Sequence, residues 1–138
     1  MILRLQAPGD PELFERAQDL LEKVYVQGRH EVATALRTRD GSVHTGVHVE
    51  GSCRRSSICA EGVAMGAVLA AGGVLDIEAV VSVQIKPADR FRVIAPCGVC
   101  RELISDYSPD ARVWVTASED IVEYEALDLL PEKSRRVW

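Results

Sequence analysis

The sequence has no apolar run approaching the roughly 20 residues a helix needs to cross a bilayer. Its first residues, MILRLQAPGDPELFERAQ, lack the charged start, long apolar centre and cleavage site of a secretory signal, so the expected compartment is the cytoplasm. Basic charge is also short: 16 Lys and Arg face 21 Asp and Glu, a formal net charge of −5. With that charge and no basic, aromatic groove, a nucleic-acid polymer is not the expected partner, although a single nucleoside is still allowed. Cysteine is scarce, at Cys53, Cys59, Cys97 and Cys100. In a reducing compartment such thiols stay free, which favours a metal or catalytic use over disulfides.

What the chain does have is ordinary for a globular protein. At 138 residues, 47% hydrophobic and 27% charged, it is expected to form one domain over residues 1–138 with a real core. Asp10-Pro11 reads as a helix cap followed by proline at the first helical position. Leu13, Ala17, Leu20, Leu21 and Val24 then recur at helical spacing. Two strand-forming runs in EVATALRTRDGSVHTGVHVE flank Asp40-Gly41, a strong hairpin signal. SSICAEGVAMGAVLAAGG suits a helix capped by Ser56 or Ser57 and ended by Gly72-Gly73. It is apolar almost all round and should lie deep.

DIEAVVSVQI and FRVIAP read as strands, CGVCRELISDY as a shorter helix stopping near Pro109, and RVWVTAS and IVEYEAL as further strands. Pro131 opens a basic, loose tail. The expected fold class is α/β: a three-layer α-β-α sandwich around a mixed five-stranded sheet.

The chemistry is concentrated in two stretches, ICAEGVAMG and APCGVCREL. Cys97-Gly98-Val99-Cys100 stands between an apolar strand and a helix, a placement that suits two ligands of one metal or a redox pair equally well. Cys59, at the start of another helix, offers a third sulfur and tips the balance to metal. Three thiolates leave one position of a tetrahedral zinc open, the pattern of a catalytic site. Three thiolates and Zn²⁺ sum to −1, and two helix N-termini would offset part of that charge. Glu61 then has a use, since a carboxylate beside a metal-held water takes a proton and delivers it elsewhere.

CAE followed by PCGVC resembles the signature of the zinc-dependent cytidine deaminase family in its three-cysteine form. The hairpin VATALRTRDGSVHTGVHVE is similar to the strand pair that precedes the first motif there, and the likeness runs along essentially the whole chain. VHVE, CAEG and RVIAPCGVCRELISDYSPD resemble most the branch that deaminates a nucleoside antibiotic. The resemblance implies zinc held by Cys59, Cys97 and Cys100, with Glu61 as the catalytic acid–base. The implied reaction is hydrolytic deamination of the cytosine ring of a nucleoside or nucleoside antibiotic.

Other roles follow from the same likeness. Glu50 matches the glutamate that binds the sugar hydroxyl. His48 stands where relatives carry a sugar-holding asparagine, and His30 where they carry a base-packing phenylalanine. Many three-cysteine relatives place an arginine after the catalytic glutamate. Here that residue is Gly62, which leaves Arg55 and Arg101, with Arg54 a weaker choice, to ease the thiolate charge. A homotetramer is implied, with Trp138 at the wall of a neighbour's pocket. Cys53 and His44 read as bystanders. Competing readings are ordinary cytidine salvage, a non-catalytic zinc module and a CGVC redox protein; the last needs neither Cys59 nor Glu61.

Overall fold

Helix α1 (Pro11–Val24) starts where Asp10 stands, because the carboxylate accepts the otherwise unpaired Leu13 N–H at 3.2 Å. The computed structural model describes residues 10–85 and 90–137, so Trp138 lies outside the described residues. The Arg37 guanidinium donates to both Asp10 carboxylate oxygens, at 2.6 and 3.0 Å, and so ties the start of α1 to the sheet. Leu13, Phe14, Ala17 and Leu21 are fully buried at helical spacing.

Strands β1 (Val32–Thr38) and β2 (Val43–Val47) form the expected hairpin, its turn closed by Gly41 at φ +91°. Then follow α2 (Ala60–Ala70), β3 (Ile77–Ile85), β4 (Phe91–Val93), α3 (Gly98–Tyr107), β5 (Arg112–Ala117) and β6 (Asp120–Glu125). The main row runs β2-β1-β3-β5-β6, with β3 and β5 parallel and the other pairs antiparallel. The sheet is therefore mixed, as expected, but it has six strands rather than five. The sixth is β4, an annex to β3: the far edge of β3 is shared, Ala79–Val80 pairing with β5 and Val83–Ile85 with β4. FRVIAP contributes only three paired residues because the chain must leave the sheet to start α3 at Gly98.

Alternation along the strands divides the core. Ala33, Ala35, Ala79, Val81 and Val83 pack with α1 on one face. Leu36, Val80, Val113 and Val115 pack on the other with Ala64, Met65 and Val68 of α2 and Cys100 and Ile104 of α3. Helices on both faces make the three layers.

Three expectations need amendment. Cys59, not Ser56 or Ser57, is the N-cap of α2, and it makes no side-chain capping bond. Val49 and Ile58 exchange backbone hydrogen bonds at 3.1 and 2.9 Å, which holds residue 58 extended and delays the helix. Helix α2 also buries only one side, since Gly66, Leu69 and Ala70 are exposed despite its apolar composition. The tail is not loose at Lys133, whose ammonium is buried between Asp106 at 2.8 Å, Glu102 at 3.1 Å and the Ser105 hydroxyl at 2.8 Å.

Candidate active site

Two helix starts converge. Cys59 caps α2, Cys97 caps α3, and Cys100 follows in the first turn of α3, buried. Neither capping cysteine bonds its own helix, so the sulfurs are left to face each other. Cys59 Sγ lies 3.4 Å from Cys97 Sγ, and all three sulfurs fall within 4.8 Å of one another. Tetrahedral zinc–sulfur bonds of about 2.3 Å place sulfurs roughly 3.8 Å apart, so the cluster has the size of a zinc site.

Its charge behaviour points the same way. Burial, then the neighbouring Cys97, pushes the Cys59 thiol up to about 11. Burial pushes Cys100 up, and Glu61, Cys59 and Cys97 add to the shift by repulsion. Only Cys97 goes down: burial opposes its ionisation, but the Cys100 N–H, the two other thiols and the Val99 N–H favour it. Without a cation this cluster resists becoming three thiolates, and a divalent metal at its centre removes that resistance.

Glu61 sits in the first turn of α2, two residues after Cys59, and is only 4% exposed. Burial raises its carboxyl above the ordinary range, while its own N–H and the Ser82 hydroxyl pull it partly back. The floor beneath is one row across three strands, Gly46 of β2, Thr34 of β1 and Ser82 of β3. A Cβ on Gly46 would lie 2.5 Å from Ala60 O and 2.4 Å from Ala64 N, so only glycine lets α2 settle this close to the sheet. These three residues were not singled out from the sequence. A serine within the apolar run AVVSVQI was the available signal, and Thr34 is unremarkable in a strand.

The structure brings Glu50, His48 and His30 together. His48 Nε2 lies 3.3 Å from Glu50 Oε2, and His30 Nδ1 lies 3.0 Å from the His48 carbonyl. Ser57 donates a hydrogen bond to Glu50 Oε1, and the Gly51 N–H donates at 3.2 Å. These bonds, Ser57 first, hold the Glu50 carboxyl below its ordinary value. The Val49–Ile58 bridge joins this trio to the segment entering Cys59. His48 Nδ1 is buried with no hydrogen-bond partner among the described residues.

The arginines are placed differently. Arg55 is exposed in a 3₁₀ turn, Arg54–Ser56. Arg101 donates to the carbonyls of Pro96 at 2.9 Å and Leu129 at 3.2 Å, which lashes the PCGVC turn to the segment after β6. Among the described residues neither guanidinium hydrogen-bonds a cysteine; Arg101 meets Cys97 only through its backbone N–H, which donates to the Cys97 carbonyl at 2.9 Å. Cys53 is exposed and apart from the cluster.

The family model for the cytidine and deoxycytidylate deaminase zinc-binding region matches residues 9–116. Blasticidin-S deaminase of Bacillus cereus is 36% identical over 131 residues, 92% of this chain and 93% of that protein. A cytidine deaminase of Halalkalibacterium halodurans is 33% identical over 122 residues, 86% of this chain and 89% of that one. Among solved structures, the cytidine deaminase from Burkholderia pseudomallei has a TM-score of 0.72 at 34% identity, covering 87% of this chain and 94% of that chain. The enzyme from Bacillus anthracis, at 21% identity and a TM-score of 0.76 over 90% of this chain and 88% of its own, shares the fold. The chain belongs to the cytidine and deoxycytidylate deaminase zinc-binding family. It is a zinc-dependent hydrolase acting on a carbon–nitrogen bond of a cyclic amidine, and CGVC is accordingly not a redox pair.

Proposed function

We propose that this enzyme deaminates the cytosine ring of a nucleoside antibiotic such as blasticidin S, with Cys59, Cys97 and Cys100 holding the zinc and Glu61 carrying the protons. The observation behind it is a buried carboxylate two residues from the first of three converging sulfurs, on a helix start that faces theirs. Zinc, when bound, lowers the pKa of a water it holds and so supplies a nucleophile at neutral pH. Glu61 accepts one proton of the attacking water and passes it to ring N3 as C4 becomes tetrahedral, then accepts the remaining proton from the C4 hydroxyl and delivers it to the departing amine. Cytosine and water become uracil and ammonia, and Glu61 ends as it began. A buried carboxyl with a raised pKa suits both halves of that cycle.

The preference for an altered sugar rests on His48. Its Nε2 lies 3.3 Å from Glu50 Oε2, so the imidazole stands against the carboxylate in a bulkier, differently aimed shape than an asparagine amide. Glu50, held ionised by Ser57, supplies an acceptor, and His30 lies beside them at the base end. Arg55 and Arg101 ease the charge around the metal from a distance. Ordinary cytidine salvage is the second reading, favoured by the cytidine deaminase at 33% identity. Steady-state kinetics separate the two: blasticidin S should show the higher kcat/KM. If cytidine or deoxycytidine wins by about tenfold or more, the enzyme is a salvage deaminase and His48 is a neutral replacement.

In this reading residues 1–138 act as one domain and four copies assemble, supported by the exposed apolar residues of α2 and α3. The compartment is the cytoplasm, where the cysteines stay reduced; no helix among the described residues is long and apolar enough to cross a membrane.

A further inference from the structure

Arg101 follows Cys100 on α3, and its guanidinium takes two main-chain carbonyls, Pro96 through Nε at 2.9 Å and Leu129 at 3.2 Å. Pro96 is buried and stands just before Cys97, the N-cap of α3, so its carbonyl lies outside the bonding of that helix. Leu129 ends the 3₁₀ turn Ala126–Leu129, and its carbonyl has no further turn to accept from. Carbonyls left over in this way need donors, and one planar guanidinium supplies both at a fixed angle.

The two ends of this bridge are unequal. Leu129 packs against the core cluster that holds Cys100 and Ile104. Its segment is also pinned at its start, where Ala126 N–H donates to Ala111 O at 2.9 Å and Leu127 N–H to Pro109 O at 3.0 Å. Cys97, by contrast, is exposed and makes no side-chain capping bond to its helix. We infer that Arg101 is a positioning residue of the metal site, which carries the fixed place of Leu129 over to Pro96 and so sets the direction of Cys97 toward Cys59 and Cys100. It acts through the Pro96 carbonyl and not through a sulfur. The inference rests on Cys97 as a zinc ligand and goes beyond charge easing. What counts is the fork of donors, which a lysine of equal charge lacks.

The test measures zinc affinity, by competition with a chromophoric chelator, in wild type, Arg101→Ala, Arg101→Lys, Lys133→Met and Cys97→Ser. Groups that orient metal ligands from outside are worth about 10–100-fold in affinity, and both Arg101 variants should lose that much. Loaded with cobalt(II), both should show weakened sulfur-to-metal charge-transfer absorption. Methylguanidinium should move Arg101→Ala back toward wild type in both measurements. Lys133→Met is the control for stability, since it removes a buried ion pair from the same segment but no bond to Pro96 or Leu129. It should lower the melting temperature and leave zinc affinity within about twofold. If Arg101→Ala does not fold, Arg101→Lys, which keeps the stem and the charge, decides.

An Arg101→Lys protein that holds zinc as wild type does reduces Arg101 to its charge and overturns the inference. So does a Lys133→Met protein that loses as much affinity as the arginine variants, or a failure of both arginine variants to fold, since each makes the residue a general support. Cys97→Ser keeps the two failures apart. Unchanged zinc affinity there refutes Cys97 as a ligand and the bridge with it; a collapse there beside unaffected Arg101 variants refutes the bridge alone.

Discussion

In the proposed role of proton carrier a carboxylate gains from being hard to ionise, and burial raises the Glu61 carboxyl in that direction. Replacing it with alanine should leave zinc bound, since the three sulfurs are untouched, while lowering kcat by about 10²–10⁴-fold. Loss of zinc in that variant would make Glu61 a ligand and cancel the assignment. Asp10 shows the opposite regime. Its bonds to Arg37, more than to the Leu13 N–H, hold its pKa below 3.8 against the opposing effect of burial. A depressed folded pKa adds stability that is fully present above the ordinary value of 3.8 and fades as the pH falls through the lower folded value. Asp10→Asn should therefore be less stable than wild type by about 1–3 kcal/mol at neutral pH. In urea unfolding that gap should narrow only under strongly acid conditions; a gap that closes already at pH 6 would assign the effect elsewhere.

Between elements, the decisive contact is the seat of α2 on β2. Gly46→Ala would force a Cβ against the backbone of Ala60 and Ala64, and backbone cannot swing aside as a side chain does. The helix must then lift, carrying Cys59 and Glu61 away from Cys97 and Cys100. Zinc affinity and activity should fall together, whereas Gly66→Ala, on the open side of the same helix, should change neither. Metal titration of both variants checks this. Gly46 also shows what the sequence could and could not disclose. Asp10-Pro11, the Asp40-Gly41 turn and the C-x-E and C-x-x-C spacings are local signals, so most elements and the cluster of three cysteines were readable. The supports under the site are products of register: Gly46, Thr34 and Ser82 are far apart in the chain and become one row only when three strands pair. The cap of α2 was misread for a related reason, because Val49, on the other side of the hairpin end, holds Ile58 extended. Nor could composition show that Arg101 would spend its donors on two carbonyls, one of them from the segment after β6.

In the molecule as a whole, the zinc cluster joins α2 to α3, which otherwise touch little. Stripping the metal with a chelator should lower the melting temperature and lose it reversibly, restored by zinc; an unchanged melting curve would mean the helices hold without it. The outer surface of this same helix layer carries Leu69 at 55%, Val99 at 68% and Leu103 at 36% exposure. Val99, Leu103 and Tyr107 recur every four residues along α3, a continuous apolar stripe on the side away from the sheet. Single exposed apolar residues are ordinary, but a stripe beside an apolar α2 is the surface that the proposed assembly of copies would cover. Burying it between copies would also close off the helices that carry the metal ligands. On the proposed tetramer, sedimentation equilibrium should give a mass four times the 15.1 kDa of the chain at micromolar concentration. Leu103→Glu places a charge in the middle of that stripe without touching the core, so it should lower the mass while zinc content and secondary structure persist. A wild-type protein that sediments as a monomer, or a Leu103→Glu variant with undiminished mass, would remove α3 from the assembly.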